Sequence, residues 1–519
     1  MAAERWLGTD RPGPDMDGVI AAADATRRAV EEPLFIDQQP PFIDREPLFA
    51  DEEPLYLDLS EEPRGGSAAY DPHRSRTGPR RVNAGNRLFF VILFWFALAA
   101  SVEVWWLGNP SGSITGAGPA LIAAGQITGL VGGFVLLVQV LMMSRVAWLE
   151  QWVGAHDLLI WHRSLGGVLV ILIPAHAVLT IFGYAAAANV SAGRETWTML
   201  TTYEDMISAF VATGVLVAIG ALSIRAIRRR MPYELWYYVH LATYLVLLLG
   251  YGHQFADGTD LLRGGFARWY WTSLYVFVVV CLIWGRVLEP LWLNLRHRFR
   301  VVAVVGEAPD MVSIYVGGRR LDKLEAQAGQ YFRWRFLTRG NWWQAHPFSL
   351  SAAPNSDWLR LTVKIVGDHT RGLQRLKPGD RVYAEGPSGA FTADRRVRPG
   401  ALLIAGGSGI APIRALLEDL PAGTVVLYRA TSADDLVFRD ELDSLAVEKR
   451  AQVWYVLGGR DDPAPRHLFT PTGMRELVPD VRRRDVYLCG PNGLISMSVK
   501  VLRRLRVPKR QIHLDPFEF

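Results

Sequence analysis

Between residues 87 and 290 the chain carries six apolar runs, at roughly 87–107, 120–143, 158–182, 207–227, 235–253 and 268–290. Each approaches the ~20 residues that an α-helix needs to cross a bilayer. In hydrocarbon, backbone polar groups must be satisfied within the segment, so these runs predict a six-helix transmembrane bundle. Arginines cluster at alternate ends of the runs. Arg74, Arg76, Arg80, Arg81 and Arg87 precede or open the first; Arg225, Arg228, Arg229 and Arg230 close the fourth; Arg286, Arg296, Arg298 and Arg300 close the sixth. The positive-inside rule then puts the N-terminus and everything beyond 300 in the cytoplasm. Arg194, Arg263 and Arg268 fall on the other side, so the bias is not absolute. The expectation is a multi-pass protein of the plasma membrane.

Four histidines sit inside this apolar region. The third run reads WHRSLGGVLVILIPAH, with His162 and His176 fourteen residues apart; the fifth carries His240 and His253, thirteen apart. Both runs point the same way through the bilayer. With a rise of ~1.5 Å per residue, each pair is separated by roughly 20 Å along its helix. Ionisable side chains in a membrane are costly and usually functional. One such histidine alone could be an interhelical hydrogen bond. Four at matched depths point instead to axial ligation, because neutral imidazole is a good ligand for haem iron. Pairing His162 with His240 and His176 with His253 would hold two b-type haems one above the other. One discrepancy stands: thirteen residues make about 3.6 turns, which puts His240 and His253 on nearly opposite faces of an ideal helix. Gly250 and Gly252 are the expected points of local unwinding, and Pro174 an expected kink in the third helix.

Composition narrows the chemistry. Half of the 519 residues are hydrophobic, 18 are Trp, and the net charge is +5. The arginines beside apolar runs suit membrane orientation and contact with lipid, not nucleic acid. The two cysteines, Cys281 and Cys489, are too few for a four-thiolate cluster, and no CxxCH offers covalent haem attachment. Residues 1–85, rich in Pro and acidic side chains, read as a disordered tail. It carries the degenerate repeats EEPLFID, QPPFIDR, EPLFADE and EPLYLDL. These fit either a solvated acidic tail or short docking motifs for an unknown partner.

Past 300 the pattern shifts to short alternating strands with turn residues between them, as in a small antiparallel barrel. HPFSLSAAP (346–354) ends one strand; VKIVGDHTRGL (363–373) precedes an apparent helix start, where free N–H groups suit a pyrophosphate. Each also fits an ordinary strand end and a capped helix. From 400, ALLIAGGSGIAPIRALLEDL reads strand, glycine turn, helix, and TVVLYRA, AQVWYVLGG and DVYLCGP continue an α/β parallel sheet. Gly406, Gly407 and Gly409 open the helix, and Cys489-Gly490-Pro491 lies at a later strand's C-terminal end, where ligands of such sheets bind.

The order HPFS, GDHT, GGSGIAP, LCGP resembles the ferredoxin–NADP reductase family. With the two histidine pairs in front of it, residues 86–519 resemble the ferric reductase and NADPH oxidase superfamily. The resemblance implies a transmembrane haem domain at 86–295, an FAD-binding barrel at 296–397 and an NAD(P)-binding domain at 398–519. It implies that Phe348 flanks the flavin and Ser349 bonds near its reactive edge, within His346, Pro347, Phe348 and Ser349. Lys364 and Gly367, Asp368, His369 and Thr370 would serve the FAD pyrophosphate. Gly406, Gly407, Ser408 and Gly409 would admit NADPH or NADH phosphates, with Cys489, Gly490 and Pro491 beside the nicotinamide. Phe519 resembles the terminal aromatic that covers the flavin, though a frayed chain end is the plainer reading. Cys489, Ser349 and Phe519 are thus the expected catalytic residues.

Hydride transfer delivers two electrons and haem iron takes one, so FAD must stand between them. The expected activity is transmembrane oxidoreduction from NAD(P)H through FAD and two haems to a small external acceptor, a ferric chelate or dioxygen. Alternatives are an electron-donor subunit for an extracytoplasmic partner protein, or a haem sensor with little turnover. Arg429, ending the strand after the glycine-rich helix, is the expected 2′-phosphate cation, which favours NADPH. Asp434 and Asp435 would suit the unmodified ribose of NADH.

Overall fold

The computed structural model describes residues 84–516 except 110, 111, 113, 229, 258–264, 460 and 461. The repeat tail and Phe519 lie outside the described residues.

The membrane half comprises α1 (Ala84–Gly108), α2 (Ala117–Met142), α3 (Ala155–Ala188), α4 (Ala192–Thr202), α5 (Met206–Leu222), α6 (Tyr233–Leu241), α7 (Thr243–Asp257), α8 (Phe266–Ile283) and α9 (Glu289–His297). Five spans among the described residues are long and apolar enough to cross a bilayer: α1, α2, α3, the α6–α7 stretch 235–256, and the α8–α9 stretch 266–297. The expected fourth span is different. It is a pair, α4 and α5, bent by 116° between them, and counts as a sixth span only if the pair is taken together. α5 alone has 17 residues, about 25 Å of helix, short of a ~30 Å hydrocarbon core. The stretch between the third and fourth apolar runs, 183–206, is mostly helix.

α2 is the central element. It packs along α3 through glycines that remove side-chain bulk at the contact. A Cβ on Gly125 would stand 2.6 Å from Thr180 Oγ1, and one on Gly132 2.6 Å from Ile173 Cδ1. Apolar side chains such as Phe96, Ile171, Leu248 and Trp269 project outward, while Trp105, Leu137 and Trp271 fill the interior. This outward apolar surface is what a lipid-facing bundle requires.

The expected unwinding at Gly250 and Gly252 does not occur: both lie within α7. The interruption falls at Ala242, between α6 and α7, where Leu245 N–H reaches the Ala242 carbonyl three residues back. The helix is thus interrupted between the two histidines it carries, and not at the glycines. α3 runs unbroken through Pro174. A π-helical turn, Trp284–Leu288, joins α8 to α9.

The second region has two three-stranded antiparallel sheets. One is ordered β1 (Arg300–Ala308), β2 (Met311–Gly317), β5 (Trp358–Lys364); the other is β4 (His346–Ser349), β3 (Tyr331–Phe336), β6 (Val382–Ser388). Isolated bridges Arg300–Arg381 and Leu350–Leu361 link them. The short helix α10 (Asp368–Leu373) follows β5.

The third region is a five-stranded sheet, ordered β11 (Ile512–Pro516), β10 (Arg484–Gly490), β7 (Gly400–Gly406), β8 (Val425–Arg429), β9 (Gln452–Val456), with every neighbouring pair parallel. Leu402, Leu403, Ile404 and Ala405 of β7 are fully buried, as a strand covered on both faces must be. Helices α11 (Ile410–Asp419), α12 (Arg439–Lys449) and α13 (Asn492–Arg504) alternate with the strands.

Candidate functional site

The four membrane histidines meet in the two expected pairs. The rings of His162 on α3 and His240 on α6 have centroids 6.0 Å apart; those of His176 on α3 and His253 on α7 are 6.4 Å apart. Around the second pair, His176 Nδ1 lies 2.7 Å from the Gly125 carbonyl. A carbonyl only accepts, so Nδ1 carries the proton and Nε2 keeps its lone pair. Gly129 provides the room: a Cβ there would sit 2.7 Å from the same nitrogen. Around the first pair, the indole of Trp236 stacks on His240 at 4.9 Å, and Arg228 lies over that indole at 4.5 Å. Gln139 donates to the His162 backbone carbonyl across the α2–α3 contact at 2.9 Å.

At the membrane end of the strand region, β6 is tied to the bundle. Asn294 of α9 both donates to the Ala384 carbonyl at 2.7 Å and accepts from its N–H at 2.9 Å. The next residue, Glu385, pairs with Arg145 of the α2 exit loop. Arg145 has the left-handed φ of 64°, uncommon for a side chain other than glycine. Arg286, in the π turn, holds the preceding loop by donating twice to the Met143 carbonyl, at 3.0 and 2.7 Å. Gly285 beside it leaves no room for a Cβ against the Ser144–Val146 backbone. Burial, then the neighbouring Arg333 and Arg286, pulls the Arg145 pKa down to about 10. Sequence reasoning missed this junction; its signal was a lone arginine directly after an apolar run.

In the strand region, β4 lays HPFS against β3, pairing His346 with Trp334, Phe348 with Phe332 and Ser349 with Tyr331. His346 and Phe348 stack with centroids 6.1 Å apart, with Pro347 between them on the strand. Gly367 is extended and caps α10, and Thr370 Oγ1 accepts from the N–H groups of Val366 and Gly367 at 2.9 and 3.0 Å. Asp368 and His369 form the first turn of that helix. Lys364 is ion-paired with Asp310 at 2.9 Å.

In the parallel sheet, the glycine turn and the LCGP turn interlock. Gly407 has φ 55°, and Ser408 follows it in the turn. A Cβ on Gly409 would strike the backbone of Cys489 and Gly490; one on Gly490, at φ 147°, would stand 2.9 Å from the Gly406 carbonyl. Pro491 then opens α13. Arg429 pairs in register with Gly406, so the expected cation does lie beside the glycine turn, with Nη1 folded onto the Ala430 carbonyl. Asp435 caps Ser432 with its carboxylate.

The strand region and the parallel-sheet region meet at Ser349, Cys489 and Asp515. Ser349 Oγ stands 3.5 Å from Asp515 Oδ2, and the Cys489 thiol 3.2 Å from the Asp515 carbonyl. Burial, with Asp515 next, pushes the Cys489 thiol well above its ordinary pKa. Burial likewise pushes the Asp515 carboxyl up to about 6. Asp515 was not foreseen. Its only signal is an acid in the apolar terminal strand, in register with Cys489.

Comparison with known proteins agrees with this three-part layout. Residues 128–251 match the ferric reductase like transmembrane component, 296–390 an FAD-binding domain, and 403–500 an oxidoreductase NAD-binding domain. The chain thus joins a ferric-reductase-like membrane component to an FAD-binding domain and an oxidoreductase NAD-binding domain. It belongs to the ferric reductase/NADPH oxidase superfamily.

Curated relatives match part of the chain. A flavohemoprotein of Vibrio cholerae is 34% identical over 37% of this chain and 52% of its own length. An NADPH oxidoreductase of Mycobacterium tuberculosis is 29% identical over 44% of this chain and 62% of its own. The reductase subunit of an aromatic O-demethylase from an Amycolatopsis strain is 34% identical over 45% and 72%. The chain thus spans between half and two thirds of the first two relatives. The solved FAD/NAD binding domain of the V. cholerae nitric oxide dioxygenase is 27% identical, covering 42% of this chain and 98% of that one at a TM-score of 0.36.

Proposed function

We propose that the protein carries electrons from cytoplasmic NAD(P)H through FAD and two bis-histidine b-type haems to a small acceptor outside the plasma membrane. The observation that carries this reading is the facing of the two imidazole pairs. Two metal–imidazole bonds of about 2 Å, with a ring radius on each side, set centroids about 6 Å apart. The pairs lie at 6.0 and 6.4 Å. Nδ1 of His162 and of His240 are buried without a partner, and the His176 tautomer leaves Nε2 free to ligate. Among the described residues no three metal-ligating side chains converge, and each pair offers two imidazoles, the number a b-type haem iron would take from the protein.

Bound FAD supplies the conversion between two-electron and one-electron transfer. The chain's own groups do the rest. The interlocked glycine and LCGP turns admit a dinucleotide to the backbone. His346, Phe348 and Ser349 line the flavin face, with Lys364 and the Gly367–Thr370 turn toward its phosphates. Cys489 and Asp515 stand at the nicotinamide contact, and Phe519 belongs there by resemblance. The Arg145–Glu385 and Asn294 ties hold the flavin region against the membrane end that carries His162 and His240. A six-span count follows if α4 and α5 form one bent span. The arginine clusters then place both termini in the cytoplasm.

The test is steady-state turnover of the purified protein with NADPH or NADH, comparing dioxygen with ferric chelates, alongside a haem spectrum. Two low-spin b haems reduced by NAD(P)H support the reading. Absence of haem from protein purified with intact FAD would overturn it.

A further inference from the structure

Behind the flavin face, a chain of buried charges crosses from the strand region to the parallel sheet. Arg360 of β5 is buried, and its guanidinium meets Glu441 of α12 with both terminal nitrogens, each at 2.8 Å. The same guanidinium donates to the Ser351 carbonyl at 2.9 Å, two residues past Ser349. It also lies 4.7 Å over the ring of Phe438, whose left-handed φ of 63° immediately precedes α12. Glu441 is shared: Arg414 Nε of α11 lies 2.7 Å from Oε2, the oxygen that Arg360 Nη2 also meets. Arg414 pairs in turn with Glu418, and Glu418 accepts the Ala353 N–H at 3.0 Å.

The path therefore begins and ends on the segment that follows HPFS and passes through α11. That helix starts at the glycine turn for the dinucleotide. Removing one partner from a buried pair leaves an uncompensated charge, while the intact pair contributes specificity of arrangement more than stability. Burial opposes the Arg360 charge, yet the contacts with Glu441 outweigh it and hold the guanidinium more basic than usual.

We infer that Arg360 and Glu441 are positioning residues for hydride transfer: their interdomain ion pair, relayed through Arg414, fixes the dinucleotide helix relative to the flavin strand. Neither touches the reacting atoms. The inference rests on the hydride step to FAD and is independent of the haem assignment. A fixed geometry matters here because a displacement near 1 Å costs about a hundredfold in rate.

The experiment uses full-length protein loaded with FAD and compares R360M, R360K and E441Q with wild type. It reads flavin reduction by saturating NADPH in single turnover, the long-wavelength nicotinamide–flavin charge-transfer band, and amide exchange at 350–356. R360M should slow flavin reduction by about a hundredfold, lose the charge-transfer band and expose the Ala353 amide, with FAD content unchanged. R360K keeps the charge but not the planar fork, so its rate should fall about tenfold. E441Q should fall between them. If R360M does not retain FAD, R360K decides. Wild-type rate and an unaltered charge-transfer band in R360K, or in an FAD-replete R360M, overturn the inference. A wild-type protein whose flavin neither NADPH nor NADH reduces would instead defeat the proposed function.

Discussion

Cys489 and Asp515 face each other across neighbouring parallel strands, the thiol 3.2 Å from the aspartate carbonyl and 3.9 Å from its carboxylate. A buried thiol held well above its ordinary pKa is neutral at working pH and serves as a donor, not a thiolate nucleophile. Asp515 is the acceptor that orients it, and Ser349 approaches the same carboxylate from the flavin side. A hydroxyl from the strand region and a thiol from the parallel sheet are thus tied to one acid.

That acid should leave a pH signature. Its carboxyl is raised from 3.8 to about 6, chiefly by burial. A raised acid pKa favours folding while the group is protonated, so this contribution is complete below about pH 4 and lost as pH rises to 6. Asp515→Asn removes the ionisation. Relative to wild type, the variant should gain stability between pH 4 and 6, by about 1–3 kcal/mol in all, and gain no more above 6. Thermal unfolding of the two proteins across pH 4–7.5 checks this. A parallel dependence in both would remove Asp515 as the titrating group.

The outer histidine pair should be separable from the inner one. His176→Ala or His253→Ala should halve the haem content and leave the His162–His240 haem in place. Pyridine haemochrome stoichiometry reads this directly. Full haem in both variants would refute the pairing.

Breaking the Arg145–Glu385 contact should divide the electron path. Arg145 pairs with Glu385 of β6 and not with Cys489 or Asp515, so flavin reduction by NADPH should be unchanged in Arg145→Ala. Reduction of the haem should slow by roughly tenfold or more, because the strand region loses a charged anchor to the bundle. Stopped-flow absorbance at flavin and haem wavelengths separates the steps. Equal slowing of both would assign the pair a general structural role.

Gly409→Ala should act on the opposite end. The added Cβ would meet the Cys489 backbone, which cannot yield as a flexible side chain could. The KM for the dinucleotide should rise about tenfold or more, with the haem spectrum unchanged. An unaltered KM would mean that the two turns can separate without cost to binding.

Much of this arrangement was legible from residue spacing. The histidine pairs, the HPFS strand and the glycine and LCGP turns are local in sequence, and periodicity places them. Features set by tertiary contact were not. The Ala242 interruption, read as unwinding at Gly250 and Gly252, shows no sequence mark, because Ala is a strong helix former. The bend between α4 and α5 lies just before the fourth apolar run, and the polar sequence of α4, AGRETWTMLTT, gave no sign of the helix there. Glu441, Arg360 and Asp515 are ordinary charged residues until the fold brings distant elements together.

Dinucleotide choice depends on the adenosine ribose, since the nicotinamide chemistry is shared. Arg429 ends β8 in register with Gly406, which sets its backbone beside the glycine turn. Of the two acids that could bind an unmodified ribose, Asp435 is engaged in capping Ser432, which leaves Asp434 as the competing exposed group. An arginine fork bonds a 2′-phosphate through charge-assisted contacts commonly contributing about 1.5–3 kcal/mol. We therefore expect a preference for NADPH. Arg429→Ala should lower kcat/KM for NADPH by roughly ten- to hundredfold and leave that for NADH within about twofold. Asp434→Ala should not reduce NADPH use, and removing its negative charge should favour the phosphate. Specificity constants for both dinucleotides in the three proteins decide the matter. A wild type that prefers NADH, or an Arg429→Ala variant that keeps its NADPH preference, would show that another group reads the ribose.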